Sequence, residues 1–369
     1  MKTLLFLIPS LAARGAERAL VNLVNNLDKS RYRITVQTLF DVGPLRKELS
    51  PEVEYRPGLP WLIRGNVPFL KLFSPKSLYK VIVRRRYDIA IAYLEGVPTR
   101  ILSGCPYSDT KLIAWHHTCF PTAQDFAYCY RTPSEARFCY SRFSRLVSVS
   151  DVVHQSVHLW TKRSCQVIHN VVEESRILRL AVEPVANIAF PLHPKLFSIG
   201  ALEPVKGYDR LLSVHARLLH EGFLHTLYII GEGTLRADLE RQIQQLGIFS
   251  TVVLLGQQSN PYRYLRHADL YVCSSHQEGL STAVTEALVL GKPVVSTDCG
   301  GARELLGNAS EYGIVTQNSE QGLYNGILLM LSSPDTLSHY ALMASARASL
   351  FSKESVLFQH TKLFADIMS

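Results

Sequence analysis

At 369 residues the chain exceeds one usual hydrophobic core, so two domains are expected. Its 47% hydrophobic and 19% charged residues are those of an ordinary globular protein and exclude global disorder. The net charge of +8 favours anionic partners, whether phosphorylated ligands, acidic lipid surfaces or nucleic acid, without choosing among them.

The apolar run at 4–8 follows a single lysine, as a short signal segment would. The polar stretch Arg14-Gly15-Ala16-Glu17-Arg18 comes at once after it, so residues 2–8 read as a buried first strand. Ala16, Ala19, Leu20, Leu23, Val24 and Leu27 then form one apolar stripe at helical spacing. Gly15, in the turn between strand and helix, lets a ligand approach the backbone at a helix N-terminus. Further strands are expected at 34–40, 89–94, 111–116, 146–150 and 165–169, all near-continuous apolar runs of the kind that parallel strands need.

Residues 58–73 mix apolar and basic side chains, and Arg84-Arg85-Arg86 lies just beyond. This mixture suits the interface of an anionic membrane; the alternative is a core segment beside a solvated basic turn. Trp115-His116-His117 closes a strand, where a histidine can bond a sugar hydroxyl or carry a proton. Metal binding by His116, His117 and Cys119 is disfavoured, because neighbouring strand residues face opposite ways. Ser148 to Asp151 reads as a helix cap and Asn170 as a turn residue. Three prolines between 183 and 194 mark a connection between domains.

The second half repeats the alternation, with strands at 196–200, 227–230, 252–255, 270–274, 294–296 and 314–316. Helices are expected near 208–220, 235–246 and 281–290. Two such halves predict an α/β chain of two doubly wound parallel sheets. The bounds are 1–180 for the first domain, 181–194 for a linker and 195–350 for the second. A tail helix within 351–369 packs back toward the first. No run reaches the length of a membrane span, and no internal repeat is visible. The seven cysteines are odd in number and contain no CxxC pair, which favours reduced thiols in a cytosolic protein over a disulfide framework.

Polar clusters fall where the strands of the second half end. Lys206 sits just before a helix, suited to a diphosphate. Gly231-Glu232-Gly233 is a weak GxG signal, and Gly300-Gly301 ends another strand. The most specific stretch runs from Ser275 to Ala287. Glu278 precedes a helix, Glu286 lies about two turns on, and the amides of Gly279, Leu280, Ser281 and Thr282 stand at the helix start. Carboxylates for hydroxyls beside amides for phosphate suit a nucleotide sugar.

Glu278 and Glu286 with seven residues between them, set in Glu-Gly-Leu-Ser-Thr-Ala-Val-Thr-Glu-Ala, resemble the EX7E pattern of retaining GT-B glycosyltransferases of family 4. Gly-Lys-Pro-Val-Val-Ser-Thr-Asp and Gly-Gly-Ala-Arg-Glu extend the match, and the opening Arg-Gly-Ala-Glu-Arg is similar to members from bacterial capsule, exopolysaccharide and lipopolysaccharide clusters. The resemblance implies two Rossmann-like domains facing across a cleft. It implies that His117 and Glu278 are catalytic. Donor binding would fall to Gly15, Lys206, Gly279, Leu280, Ser281, Thr282 and Glu286. Two positions depart from the pattern. Ala201 stands where the family places an arginine, and Arg14 replaces the first loop glycine. Arg14 is therefore the candidate to restore a charge from the first domain and to meet the acceptor.

The resulting expectation is a metal-independent hexosyltransferase using a UDP-sugar. Its acceptor would be a glycan or glycolipid, lipid-linked or lipopolysaccharide core. The protein would be cytoplasmic and peripheral on the anionic inner face of the inner membrane. The alternatives are a UDP-sugar epimerase and an inert glycosyltransferase-like partner subunit, the latter favoured by Ala201. A nicotinamide oxidoreductase is disfavoured because the first turn lacks GxGxxG. Nucleic-acid binding is disfavoured because basic residues look scattered rather than banded.

Overall fold

A computed structural model describes residues 1–12, 14–61, 66–185, 188 and 190–368. The chain divides into two compact units, Met1–Val171 with Lys353–Ser369, and Val172–Ser352. The helix Glu174–Ala181 belongs to the second unit, where Ile177 and Ala181 join Val172 and Tyr262 in a small apolar cluster. The sequence-derived bound at 180 thus falls at the end of that helix rather than before it. Residues 186, 187 and 189 of the expected connection, and 62–65 of the apolar and basic segment, lie outside the described residues.

The first unit holds seven strands: β1 Lys2–Ile8, β2 Tyr32–Thr38, β3 Glu54–Arg56, β4 Ile89–Ala92, β5 Lys111–His116, β6 Arg145–Ser148 and β7 Gln166–Val167. All pairs are parallel, in the order β3-β2-β1-β4-β5-β6-β7. Strand β3 was not foreseen. Its sequence, Glu-Tyr-Arg, has no apolar run, since an edge strand held only by β2 need not be buried on both faces. Leu4 to Ile8 are fully buried, and the helix Gly15–Asn26 lays Ala19, Leu20, Leu23 and Val24 into the core. Each such aliphatic contributes about 1.5–3 kcal/mol on leaving water.

The second unit holds β8 Lys195–Ile199, β9 Thr226–Ile230, β10 Val252–Gly256, β11 Leu270–Cys273, β12 Val294–Thr297 and β13 Ile314–Thr316. They too are all parallel, in the order β10-β9-β8-β11-β12-β13. In each unit the first strand therefore lies between its successor in the chain and a strand reached by a long return. That is the topological switch point, where an open α/β sheet leaves a crevice beyond its carboxyl edge. In the first unit the switch lies between β1 and β4; in the second it lies between β8 and β11.

Candidate functional site

The loops after β8 and β11 meet at the second unit's switch point. After β8 the chain runs through Gly200 and Ala201 into a short 3-10 turn, Pro204–Lys206. After β11 it runs through Ser274 to Glu278. The Lys206 ammonium donates to Glu278 Oε1 at 2.5 Å, and Ser275 Oγ donates to the same oxygen at 2.6 Å. Burial alone pulls the lysine down, but the charge and hydrogen bond of Glu278 outweigh it and hold the ammonium above its ordinary value. Lys206 is thus a fixed positive charge, unsuited to act as a base. Gly200 permits this, because a Cβ there would lie 3.2 Å from Lys206 Cε and 3.0 Å from the Tyr208 hydroxyl.

Several bonds lock the two loops together. His276 N–H donates to Val205 O at 2.7 Å, and Ser274 Oγ donates to Lys206 O at 2.8 Å. Arg210 is buried on the next helix, Tyr208–His220. Its Nε and Nη2 donate to Ser274 O at 2.9 and 2.5 Å, and Nη2 also reaches Ser275 O and Asn318 Oδ1, each at 2.8 Å. Asn318 returns a bond to His276 O, and Thr297 Oγ1 donates to Ser275 O at 2.7 Å. Gly207 adopts φ +61, where a Cβ would stand 2.4 Å from Ser274 O. Sequence reasoning missed Arg210, Ser275, Thr297 and Asn318. The available signal was only an arginine four residues after Lys206, which a helix pattern reads as solvent-facing.

The helix after Glu278 spans Thr282–Val289, with Ser281 as its N-cap accepting from Val284 N–H. The Ser281 hydroxyl therefore caps the helix, while the first-turn N–H groups have no helical carbonyl before them. Gly279 and Leu280 are buried in the turn. Gly300, at φ +63, is required by close approach: a Cβ would overlap Glu278 O at 1.9 Å. Gly301 N–H donates to Gly279 O at 3.1 Å. Gly231 and Gly233 likewise make room for the backbone of Gly200 and Leu202, so the GxG after β9 is a packing feature of the same loop. Glu286 is carried on the helix beyond this cluster and accepts from the Tyr262 hydroxyl at 2.9 Å. Cys273, at the end of β11, is lowered from its ordinary value by hydrogen bonding with the Cys299 thiol, against burial. Among the described residues no group of three His, Cys, Asp or Glu side chains is gathered as a metal site would require.

The first unit carries the other candidates. Gly15 opens its helix, and Arg14, exposed and extended at φ −103, is the N-cap residue without a side-chain cap bond. Glu17 in the first turn is buried, which raises its carboxyl pKa, and its Oε2 has no partner among the described residues. His117 comes directly after β5. Its N–H donates to Glu95 Oε2 at 2.9 Å, and its Nε2 has no hydrogen-bond partner among the described residues. Burial, then the neighbouring His116, lowers it to about 3, so the ring is neutral. His116 turns the other way, bonds Val147 O through Nδ1 at 2.9 Å and stacks on Tyr140. The His117 ring lies 4.9 Å from Tyr93, which stacks on Trp115, which stacks on His360 of the terminal helix Lys353–Asp366.

Residues 189–346 match the family model for glycosyl transferases group 1, and residues 13–176 match that for glycosyltransferase family 4. An N-acetylgalactosamine-N,N'-diacetylbacillosaminyl-diphospho-undecaprenol 4-alpha-N-acetylgalactosaminyltransferase of Campylobacter jejuni is 31% identical over 197 residues, 53% of this chain and 52% of that protein. The chain thus spans about half the length of that relative. The lipopolysaccharide core biosynthesis glycosyltransferase LpsD of Rhizobium meliloti is 23% identical across 87% of this chain and 85% of its own. Among solved structures, Anabaena Alr3699/HepE in complex with UDP and glucose superposes with a TM-score of 0.78 at 21% identity, covering 99% of this chain and 100% of that one. Sucrose-phosphate synthase of Thermosynechococcus elongatus gives 0.81 at 16%, covering 100% and 99%. At these identities the two structures establish the fold.

Proposed function

Since this chain belongs to the GT-B glycosyltransferases of family-4 type, we propose that it moves a hexose or N-acetylhexosamine from a UDP-sugar to a bacterial surface-glycan acceptor. The acceptor is lipid-linked or lipopolysaccharide core, and the anomeric configuration is retained. The observation that carries this reading is the Lys206–Glu278–Ser275 cluster at the switch point, beside the start of the helix Thr282–Val289. Lys206 and the amides at the helix start meet the diphosphate, where charge develops as the glycosidic bond breaks. Glu278 accepts from sugar hydroxyls, and Glu286 from the ribose. The leaving phosphate takes the acceptor proton, consistent with a lysine held as the ammonium. His117, neutral and with a nitrogen unpartnered among the described residues, offers a hydrogen bond to a sugar hydroxyl rather than a proton. The cations and amides leave no step that calls for a metal. UDP and glucose in the HepE structure, and the diphospho-undecaprenol acceptor named for the Campylobacter relative, support the donor and acceptor classes.

Comparing Glu278→Ala with wild type across a panel of UDP-sugars and a lipid-linked acceptor tests this; full activity in the variant removes the assignment. Ala201, which leaves the diphosphate one cation short of the family pattern, favours a second reading, an inert partner subunit. Donor binding by calorimetry without turnover, with activity appearing only when a partner chain is added, would select it. Conversion of a UDP-sugar without any acceptor would instead indicate an epimerase.

A further inference from the structure

The positive charge of this chain is localised. Of 39 lysines and arginines, eight lie at 56–87: Arg56, Arg64, Lys71, Lys76, Lys80 and the run 84–86. No aspartate or glutamate occurs in that stretch, which leaves 31 basic against 31 acidic residues elsewhere, so the whole excess of +8 resides there. The basic residues that looked scattered by number are therefore banded by excess. Arg85 and Arg86 are paired with Glu54 and Asp109, but Lys71, Lys76 and Lys80 make no ion pair among the described residues. Lys76 and Lys80 are one turn apart on the helix Pro75–Ile82, and both are exposed.

The same stretch turns large apolar side chains outward. Phe69 is 60% exposed and Leu72 73%; Phe73 packs edge-on against Phe69, and Val81 is also exposed. Tyr128, 64% exposed, lies beside them with the Lys71 ammonium over its ring. The backbone here is satisfied without water. Arg100 is buried and paired with Glu135; it donates to Leu70 O and Phe73 O, each at 2.8 Å. Arg131 donates to Lys71 O at 2.6 Å and Leu72 O at 3.0 Å. Four consecutive carbonyls at the end of the helix Asn66–Lys71, groups that ordinarily need water, are thus held by two guanidinium groups. A turn with satisfied carbonyls, outward aromatic and aliphatic groups and flanking lysines meets the conditions for leaving water at a charged interface.

We infer that the turn 69–73 with Tyr128 inserts into the headgroup region of an anionic phospholipid surface, with Lys71, Lys76 and Lys80 facing the lipid phosphates. Aliphatic Leu72 and Val81 favour lipid over nucleic acid, because stacking on bases uses aromatic faces and leaves such groups without a role. The inference deepens the reading of a lipid-linked acceptor, and it is tested without donor or acceptor, so the two fail separately. Flotation with phosphatidylcholine vesicles, with and without 30% phosphatidylglycerol, is compared for wild type and three double variants. The expected result is at least tenfold tighter binding to anionic vesicles, weakened by raising salt beyond 0.5 M, where screening is short-ranged. Phe69→Ser with Leu72→Ser, and Lys76→Glu with Lys80→Glu, should each lose at least tenfold. Phe249→Ser with Arg241→Glu, equally exposed in the second unit, should lose none. Unchanged Tm and unchanged thermal shift by UDP verify folding of the variants. Equal binding by all forms, or equal loss in the control, overturns the inference. So does RNA binding as tight as vesicle binding and lost in the same variants.

Discussion

If the donor diphosphate binds at Lys206, it must share an ammonium already held 2.5 Å from Glu278. Neutralising each partner should then have opposite consequences for UDP. Lys206→Met removes a charge-assisted hydrogen bond to phosphate, worth about 1.5–3 kcal/mol, so UDP affinity should fall about 10- to 150-fold. It also leaves Glu278, mostly buried, beside the diphosphate as an uncompensated negative charge, which pushes the loss toward the larger figure. Glu278→Gln frees the ammonium, so UDP itself should bind as well as in wild type or more tightly. The extra affinity that a UDP-sugar gains over UDP should shrink, because the sugar loses its carboxylate. Isothermal calorimetry with UDP and a panel of UDP-sugars, on wild type, both single variants and the double, measures each quantity. The cycle should show strong non-additivity, since the two groups touch. A Glu278→Gln variant that loses UDP as severely as Lys206→Met, or a Lys206→Met variant that keeps it, refutes this account.

Five buried histidines, His225 among them, should make the protein acid-sensitive, since burial lowers the pKa of each. His116 and His360 are lowered by burial to about 4, and His117 and His215 to about 3, so below the unfolded value near 6.5 the unfolded chain binds protons that the native state refuses. Stability should fall between pH 7 and pH 5 by about 2 kcal/mol for each of these four. Denaturant melts at both pH values measure it; a flat profile would contradict the burial, and His360→Phe should reduce the slope. Arg210→Met should leave Ser274 O without its donors at a cost of about 1–3 kcal/mol, while Ser275 O keeps Thr297 Oγ1; a lower urea midpoint reads it. It should also weaken UDP binding through the loop that Arg210 holds in place. Gly300→Ala forces a Cβ into Glu278 O at a positive φ and should raise the Kd for a UDP-sugar at least tenfold; unchanged affinity would show that the loop yields freely. Arg14→Ala should weaken UDP binding and slow transfer; if donor affinity and turnover are both unchanged, Arg14 neither restores the diphosphate charge nor meets the acceptor.

Much of the candidate site was legible because parallel strands buried on both faces must be continuous apolar runs, and the polar turn after each run stands at the carboxyl edge. That logic located the turn with Lys206 and the turn with Glu278. It could not see β3, whose three residues lack an apolar run, nor the helix Glu174–Ala181 as part of the second unit. It left Gly231 and Gly233 as a weak GxG signal, and in the structure they clear space for the loop after β8. The excess charge at 56–87 stood in the composition, but its partner carbonyls at 70–73 did not, because Arg100 and Arg131 reach them from distant helices and turns.

The sequence alone determined the alternation of strand and helix, the two sheets and the residue types at their edges, since these depend on local period and on what a buried strand tolerates. Only the tertiary structure decided that Lys206 and Glu278, 72 positions apart, share one proton-donating contact. It also decided that Arg210 clamps the loop between them and that His117 lies tilted against Tyr93 at the end of a row of rings beginning at His360. Those facts follow from strand order, which sets β8 beside β11, and from burial, which decides which charges survive unpaired. Neither leaves a trace in the spacing of residues along the chain.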